Sequence, residues 1–391
     1  MKNRIKALAK ELAPAFIDIR HHIHSHPELS FQEYETSKFI QQKLDEFGVS
    51  YQAGIAGTGI VATIEGKHPS SKTIAIRADI DALPITEANN VPYKSKNEGV
   101  MHACGHDVHT TCVLGATKIL QTVKDHFEGT IKVLFQPGEE KHPGGASLMI
   151  KEGVLENPRP DAILGMHVQP TMEAGKLGFR GGQYMASADE IYITIKGKGG
   201  HAAAPHLTVD TILVASHLVV SLQQIISRNN NPFSPSVLSI CAFNGGFTTN
   251  VIPSEVKLMG TFRAMDETWR FKAHELIKKQ ATELVHAMGA EIDIEILVGY
   301  PCLYNNEEVT AKARALSEDY LGKANVEDTE VRMGAEDFAF YSQIVPACFF
   351  RLGTGNIARG ITSGVHTPTF DIDESAIEVG MGNMAYLATQ F

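Results

Sequence analysis

The sequence predicts an α/β protein in which a central, mostly parallel sheet is flanked by helices and a smaller ferredoxin-like α+β domain is inserted into the chain. Three observations support this prediction. Apolar strands ending in polar loops alternate with helices over 1–183, a β-α-β-β-α-β order follows over 184–296, and α/β character returns over 297–391. A chain of 391 residues also exceeds the size at which one core usually keeps growing, so two domains are expected.

The first segment shows the two periodicities of an α/β fold. Apolar residues recur at spacings of three and four within 2–48 and 108–124, which predicts helices. Short apolar runs at 60–65, 73–77, 130–135 and 162–166 predict strands. Acidic residues or histidine follow several of these runs. Because sites in open α/β sheets gather at the carboxyl ends of strands, we expect these side chains to lie near one another.

The inserted segment reads differently. Alternating strand patterns are predicted at 190–196, 236–243, 255–263 and 291–298, with helices at 209–228 and 267–288. An insertion of this kind connects to the larger domain through two crossing linkers. That connection suits a lid that hinges over a site.

Composition narrows the class of protein. The formal net charge of −10 argues against a nucleic-acid partner. No stretch is long and apolar enough for a membrane span, and the N-terminus lacks the apolar run of a signal peptide. The five cysteines are odd in number and loosely spaced, which favours a reducing compartment over a disulfide scaffold. A cytoplasmic location is therefore expected.

The segment 102–109 places one cysteine and three histidines within eight residues, directly before a predicted helix. Thiolate and imidazole are ligands that zinc and similar transition metals prefer. Gly105 lets the backbone bend between Cys104 and His106. The non-functional alternative is a buried cysteine among solvent-exposed histidines. Four potential ligands within eight residues favour a metal site over that alternative.

Adjacent carboxylates form a second signal. Glu139 and Glu140 follow the apolar run 130–135. Neighbouring side chains in an extended chain point in opposite directions, so one could bind metal while the other faces a water molecule. A solvated loop is the ordinary alternative. His167 and His366 also follow strand or loop ends, where a lone histidine is more often structural.

With these residues in this order, the chain resembles the aminoacylase/carboxypeptidase G-like metallopeptidase family. It is most similar to the amidohydrolase branch with hippurate hydrolase, N-acetyl-amino-acid and N-acetyldiaminopimelate deacetylases, and plant auxin-conjugate hydrolases. The resemblance covers essentially the whole chain and rests on seven motifs in the family's order: Arg77 to Pro84, His102 to His109, Phe135 to Glu140, Gly165 to His167, Gly199 to His206, Gly334 to Phe338, and His366.

The resemblance implies a zinc-peptidase-like catalytic domain with two divalent metal ions. Zinc best suits a thiolate, and manganese, cobalt or nickel remain open. Glu139 would act as general base, and the implied metal ligands are Cys104, which would bridge the ions, His106, Glu140, His167 and His366. The implied reaction is hydrolysis of an N-acyl amino acid, a small-molecule substrate whose acyl group and amino acid the sequence leaves open.

The resemblance also gives roles to residues around the ligands. His201 would stabilise the oxyanion, often across a dimer formed by the inserted domain, so a homodimer is expected. Asn250 and Arg263 would hold the substrate carboxylate, and Gly334 would let the backbone approach it. Residues that would orient ligands from behind are Asp79 and Asp81, with His102, Asp107 and His109 as further candidates.

Three other functions are alternatives to metal-dependent hydrolysis of an N-acyl amino acid. A catalytically silent binding relative would be expected to have lost a ligand or Glu139, and this chain keeps all of them. A cysteine-nucleophile hydrolase using Cys104 would survive removal of metal. A dipeptidase or carboxypeptidase of the same family differs in substrate, and only analogy with the cysteine-containing branch disfavours it.

Overall fold

The computed structural model describes all 391 residues. None of its helices combines the length and the apolar character that crossing a bilayer requires. The nine α-helices are α1 Lys2–Ser25, α2 Tyr34–Phe47, α3 His106–Thr122, α4 Gly145–Lys151, α5 Thr211–Gln224, α6 Glu267–Ala287, α7 Glu307–Leu321, α8 Ala339–Ser342 and α9 Ser375–Gln390.

The strands account for the predicted runs and include others that the sequence did not predict, of which β1 and β16 are the longest. They are β1 Ser50–Ile55, β2 Gly59–Glu65, β3 Thr73–Asp79, β4 Thr130–Gln136, β5 Ala162–Glu173, β6 Leu177–Phe179, β7 Gly182–Met185, β8 Asp189–Lys196, β9 Gly200–His201, β10 Ser236–Asn244, β11 Val251–Ile252, β12 Glu255–Ala264, β13 Glu291–Val298, β14 Leu303–Asn305, β15 Val326–Asp328 and β16 Ala347–Gly355.

The chain divides into two compact units. The first comprises 1–182, 304–330 and 337–391, and the second comprises 183–303 and 331–336. This differs from the predicted segments, because the second unit continues to 303 instead of ending at 296, and because the short piece 331–336 also belongs with it. There Arg332 exchanges backbone hydrogen bonds with Tyr184 and Ala186 at 2.9 and 3.0 Å. That the second unit serves as a lid or dimerisation domain stays a prediction.

The first unit is built on an eight-stranded sheet in the order β1-β2-β4-β3-β5-β16-β6-β15. Its central pairs, β4 with β3, β3 with β5 and β5 with β16, are parallel, which confirms the predicted mostly parallel sheet. Every residue of β3 and β4 is buried. Parallel strands covered on both faces read as continuous apolar runs, which is why these segments lack alternation.

Strand ends position the polar residues of the first unit. In the parallel pair of β3 and β4, Asp79 lies opposite Gln136, so both strands end at the same edge. The next strand, β5, continues to Glu173, so the prediction that His167 follows the end of a strand is wrong: His167 lies within β5, in register with Arg351 of β16. Helix α3 begins at His106 and packs against β3. The predicted gathering of polar side chains at one edge follows from this register.

The second unit contains an antiparallel four-stranded sheet in the order β10-β12-β8-β13. With α5 and α6 in the crossovers, this is the predicted ferredoxin-like arrangement. Both helices begin at aspartate caps: Asp210 accepts hydrogen bonds from the first-turn amides of α5, and Asp266 accepts one from Trp269.

A buried ion pair fixes the start of β8 in the second unit. The carboxylate of Asp189 accepts hydrogen bonds from Arg270 Nη2 at 2.5 Å and Nε at 2.9 Å, and its Oδ2 lies 2.9 Å from His274 Nε2. The backbone amide of Gly299 adds a further bond at 3.1 Å. Burial alone would raise the pKa of Asp189, but its hydrogen bonds with His274 and Arg270 hold that pKa below the ordinary value.

We expect Asp189→Asn to destabilise the protein by about 3–5 kcal/mol, because buried Arg270 would keep only the partly exposed Glu267 as a charge partner. A depressed carboxyl pKa stabilises the folded state above the unfolded pKa of about 3.9 and is lost as the pH falls through the folded value. In urea unfolding between pH 7 and pH 3, the free energy of unfolding of the wild type should therefore fall with pH, and that of Asp189→Asn should fall less. Asp293→Asn, which breaks the exposed pair with Lys196, is the matched control and should change little. Equal effects of the two substitutions would contradict the assignment.

Candidate metal centre

A glycine at the start of α3 turns Cys104 and His106 toward the same place. Gly105 has φ +82°, and a Cβ built on it would lie 2.6 Å from Val168 Cγ2. An L-side chain is therefore excluded here both by backbone conformation and by space. The two potential ligands on either side of Gly105 are both buried.

The sulfur of Cys104 lies between two imidazoles from distant parts of the chain. Its Sγ is 3.3 Å from His167 Nε2 and 3.3 Å from His366 Nε2. The latter nitrogen is also 3.1 Å from Glu140 Oε1. His366 reaches this position with φ +60°, and its backbone amide donates to the carbonyl of Ala103 at 2.7 Å. The structure thus brings four of the five predicted ligands into direct contact.

The fifth predicted ligand, His106, presents a free nitrogen to the same cluster. Its Nδ1 faces the carbonyl and Oδ1 of Asp81 at 2.9 and 3.1 Å, which places the proton on Nδ1. Its Nε2 is buried without a hydrogen-bond partner, 3.9 Å from Glu139 Oε2 and 4.0 Å from Glu140 Oε1. Burial lowers the pKa of His106, but Asp79, Asp81 and Cys104 together raise it well above its usual value, so metal binding at Nε2 would require the loss of a proton from this nitrogen.

His167 has the same tautomeric arrangement. Its Nδ1 lies 2.8 Å from the carbonyl of Val168, so Nδ1 carries the proton and Nε2 faces Cys104. Burial, together with nearby Arg351, holds the pKa of His167 well below its usual value. The imidazole is therefore neutral, which is the form that binds metal.

The electrostatics of the cluster favour a positive charge among these donors. Hydrogen bonds with Cys104 and Glu140 raise the pKa of His366 to about 10. Burial and the carboxylate of Glu140 raise the pKa of the Cys104 thiol, so this sulfur needs a cation beside it to act as a thiolate.

The donors form two overlapping groups. Cys104, His106 and His167 are one, and Cys104, Glu140 and His366 are the other, each with ligand atoms within 4.8 Å of one another. Sulfur, imidazole and carboxylate together suit zinc or a similar transition metal. Because Cys104 belongs to both groups, the arrangement fits two ions that share a thiolate.

Glu139 is placed beside this cluster and is buried. Its Oε1 accepts the backbone N–H of Asp337 at 3.3 Å, while its Oε2 is the atom facing His106. The neighbouring Glu140 turns its backbone amide toward Asp81 Oδ2 at 3.0 Å. The two adjacent carboxylates are thus fixed by different partners.

The carboxylates predicted to lie behind the ligands do so in different ways. Asp81 contacts His106 directly. Asp79 instead accepts a hydrogen bond from His109 Nδ1 at 2.6 Å, and His109 Nε2 accepts one from the backbone amide of Val168 at 2.9 Å, beside His167. Asp79 therefore supports the backbone next to a ligand through His109.

Two other candidates from the motif at 102–109 contact different groups. Asp107 binds Arg20 and His24, each at 2.8 Å. His102 is buried with both ring nitrogens lacking partners, and burial lowers its pKa to about 4. Neither shows a hydrogen bond to a predicted metal ligand.

Sequence reasoning missed the cation and amide that connect the strand ends. Arg77 donates to Asp79 at 2.6 Å, to Asp337 at 2.7 Å and to Gln136 at 2.9 Å. Arg77, Gln136 and Asp337 all belong to motifs that carried the resemblance. The signal available in the sequence was a charged residue, Arg77, that continues the otherwise apolar run 73–76.

The substrate-binding candidates of the second unit can be described within that unit. His201 is exposed, and its Nδ1 accepts the amide of Ala203 at 3.0 Å, which leaves Nε2–H as a free donor. It pairs with Val251 across β9 and β11, and the carbonyl of Asn250 accepts the amide of Ala202 at 3.0 Å. His201 and Asn250 therefore belong to one small ribbon.

Arg263 and Gly334 lie elsewhere in the second unit. Arg263 is half-buried on β12 and forms no side-chain hydrogen bond or ion pair, and burial lowers its pKa. A Cβ added to Gly334 would meet only Met185 Cε at 3.9 Å, an ordinary contact. The structure therefore gives no steric reason for glycine there, and its predicted role stays a prediction.

Known proteins match this chain over nearly its whole length. Residues 75–390 match the model of peptidase family M20/M25/M40. Thermostable carboxypeptidase 2 of Saccharolobus solfataricus is 37% identical over 391 residues, 99% of this chain and 98% of the relative. N-acetyl-L-cysteine deacetylase of Bacillus subtilis is 39% identical over 373 residues, 95% of this chain and 86% of the relative.

A solved structure is similarly close. The Bacillus subtilis YXEP protein, described as a dinuclear metal binding peptidase from the M20 family, superposes with a TM-score of 0.83 at 33% identity. The match covers 97% of this chain and 98% of that one.

The bend at Gly105 yields a test. Gly105→Ala should cost about 1–2 kcal/mol for the left-handed conformation and a further ~1–3 kcal/mol for the contact with Val168, and it should displace Cys104 and His106. Gly153→Ala is the matched control, because Gly153 has φ +84° with open space around it. Elemental analysis after loading with Zn²⁺, combined with urea unfolding, should show metal loss only in Gly105→Ala. Full metal content in that variant would argue against the bend as part of the site.

Proposed function

Because the chain belongs to peptidase family M20/M25/M40 and is a hydrolase of that family, we propose that it cleaves the amide bond of N-acyl amino acids with two divalent metal ions. The products would be a carboxylic acid and a free amino acid. One observation carries the proposal: Cys104 Sγ is shared by two donor groups beside the buried carboxylate of Glu139. The relative named N-acetyl-L-cysteine deacetylase, at 39% identity, supports an acyl-amino acid as substrate.

The residues that would hold the ions are those in contact within the first unit, with Cys104 common to both donor groups: Cys104, His106, His167, Glu140 and His366. When bound, two such cations supply Lewis-acid polarisation of a carbonyl and a lowered pKa for water. Zinc is the metal that best suits a thiolate among imidazoles, and manganese, cobalt and nickel are compatible with the same donors.

Glu139 is the proposed general base. Its Oε1 accepts the amide of Asp337, and its Oε2 is the oxygen proposed to receive a proton from the attacking water. As the water oxygen bonds to the acyl carbon, that proton passes to Oε2, and the same group then protonates the leaving amine as the carbon–nitrogen bond breaks. The base is thereby regenerated, and no other proton donor is needed.

Residues of the second unit are proposed for substrate recognition. The free Nε2–H of His201 is a suitable donor for the oxyanion of the acyl group. Arg263, a half-buried cation that forms no side-chain hydrogen bond or ion pair within its unit, is suited to a substrate carboxylate, and Asn250 and Gly334 are proposed to assist. Homodimer formation through this unit is part of the same proposal.

A carboxypeptidase activity is the second candidate. Thermostable carboxypeptidase 2, at 37% identity over nearly the full length of both chains, favours it. It would use the same metal ligands and the same base, and it would differ only in accepting a peptide in place of an N-acyl amino acid. A hydrolase using Cys104 as nucleophile is disfavoured by a buried thiol whose pKa is raised.

Substrate class and metal dependence can be tested together. Enzyme stripped with a chelator should be inactive, and restoring Zn²⁺, Mn²⁺, Co²⁺ or Ni²⁺ should return hydrolysis of N-acetyl or N-benzoyl amino acids, measured by release of free amine. Dipeptides with a free N-terminus, assayed in parallel, should be turned over more slowly. Faster dipeptide cleavage would favour the carboxypeptidase, and full activity after chelation would favour a thiol nucleophile.

Changing Glu139 and Glu140 to glutamine, one at a time, should have different effects on metal content and activity. Glu139→Gln should keep its bound metal and lose about 10²–10⁴-fold in kcat, since only the proton acceptor is removed. Glu140→Gln should lose both metal and activity, because a ligand is weakened. Metal content by elemental analysis and kcat with the best substrate of the screen distinguish the two. Wild-type kcat in Glu139→Gln would rule out its role as base.

A further inference from the structure

A fully buried carboxylate lies beside the proposed catalytic turn, outside the set of proposed ligands. Glu33 stands at the start of α2 and has no exposed surface. Its Oε1 accepts the backbone amides of Phe31 at 2.8 Å and Gly138 at 2.9 Å, and its Oε2 accepts the hydroxyl of Thr58 at 2.7 Å. Gly138 is the residue directly before Glu139.

Placing a carboxylate here is costly, which makes its contacts informative. Burial raises the pKa of Glu33, so the environment disfavours the charged form. A carboxylate accepts hydrogen bonds at both oxygens, and Glu33 uses this capacity to join three separate segments: its own loop, the start of β2 and the end of β4. The bond to Gly138 is the one that reaches the proposed base.

The conformation of Gly138 depends on the same loop. Gly138 has φ +59°, and a Cβ built on it would lie 2.4 Å from the ring of Phe31. Phe31 itself has φ +65°, a conformation that is rare for an aromatic residue. On its other side the carbonyl of Gly138 accepts the amide of Gly145 at 3.0 Å. The turn before Glu139 is therefore held between the Phe31–Glu33 loop and Gly145.

The same loop also contacts the support of His106. Ser30 Oγ donates to Asp81 Oδ2 at 2.6 Å, and the backbone amide of Ala82 donates to the carbonyl of Glu28 at 2.8 Å. Asp81 Oδ2 accepts the amide of Glu140 as well. One short loop between α1 and α2 thus contacts both chain segments that carry proposed catalytic residues.

We propose that Glu33 is a positioning residue for hydrolysis: its carboxylate holds the Gly138 amide so that Glu139 and Glu140 both face the Cys104 cluster. The inference rests on the proposed function, because it concerns the geometry of the proposed base and ligand. It adds a residue that touches neither substrate nor metal and acts through the backbone of the turn.

Three substitutions of Glu33, with one control at Thr58, distinguish a positioning role from ordinary stabilisation. Glu33→Leu removes every acceptor, and Glu33→Asp keeps the charge while withdrawing the carboxylate by one methylene from Gly138. Glu33→Gln is the conservative rescue, because its Oε1 still accepts both amides and its NH₂ can donate to Thr58. Thr58→Val is the matched control: it removes one hydrogen bond from the same carboxylate and leaves the Gly138 bond in place.

We expect Glu33→Leu and Glu33→Asp to lower kcat by about 10- to 100-fold in the Zn²⁺-loaded enzyme with little change in KM, as a small misplacement of the base would. Both should also lose Zn²⁺ faster during dialysis against EDTA, since Glu140 follows the same turn. Glu33→Gln should keep kcat near the wild-type value. Thr58→Val should lower thermal stability and leave kcat unchanged.

Hydrogen–deuterium exchange of peptides covering 136–145 provides a readout that needs no substrate. Exchange should rise in Glu33→Leu and Glu33→Asp and stay at the wild-type level in Thr58→Val. Unchanged exchange, or a kcat loss in Thr58→Val equal to that in Glu33→Asp, would overturn the inference. Failure of the proposed function would appear separately, as wild-type activity in Glu139→Gln. If Glu33→Leu does not fold, Glu33→Asp and Glu33→Gln decide the question.

Discussion

One sulfur atom, Cys104 Sγ, lies where separate segments of the first unit meet. Cys104 Sγ lies 3.3 Å from imidazole nitrogens that come from β5 and from the segment before α9, 63 and 262 residues away along the chain. The sheet register, the left-handed Gly105 and the left-handed His366 are all needed for that meeting. A metal site assembled in this way is a property of the folded domain and not of any local segment.

The proposed catalytic groups are surrounded by buried acids that hold backbone and imidazole in place. Asp81 fixes the tautomer of His106, Asp79 supports His167 through His109, and Glu33 holds the turn before Glu139. A cluster of buried carboxylates is costly unless positive charge accompanies it. Here Arg77 bonds two of the acids nearby, and bound cations would supply the rest of the compensation.

The second unit follows a different physical plan. Its antiparallel sheet and two capped helices form an independent apolar core, and a buried aspartate–arginine pair holds the start of its first long strand. Its candidate recognition residues are polar groups with unused hydrogen-bonding capacity, the Nε2–H of His201 and the guanidinium of Arg263. Such groups are suited to binding a ligand, whereas those of the first unit are suited to binding metal.

The sequence by itself determined the fold class, most of the longer helices and strands over 2–298 and, through the family resemblance, the candidate ligands. Strand and helix periodicities arise from local geometry, so the runs at 73–77 and 130–135 and the β-α-β-β-α-β order could be predicted from neighbouring residues. The tertiary structure alone decided which groups support which: Asp79 acts through His109, Asp107 contacts Arg20, and Glu33 reaches Gly138. These partners lie from 30 to 105 residues apart, and Arg77 and Asp337 are separated by 260. No periodicity or spacing records such pairs, because they exist only once the strand ends have been brought together.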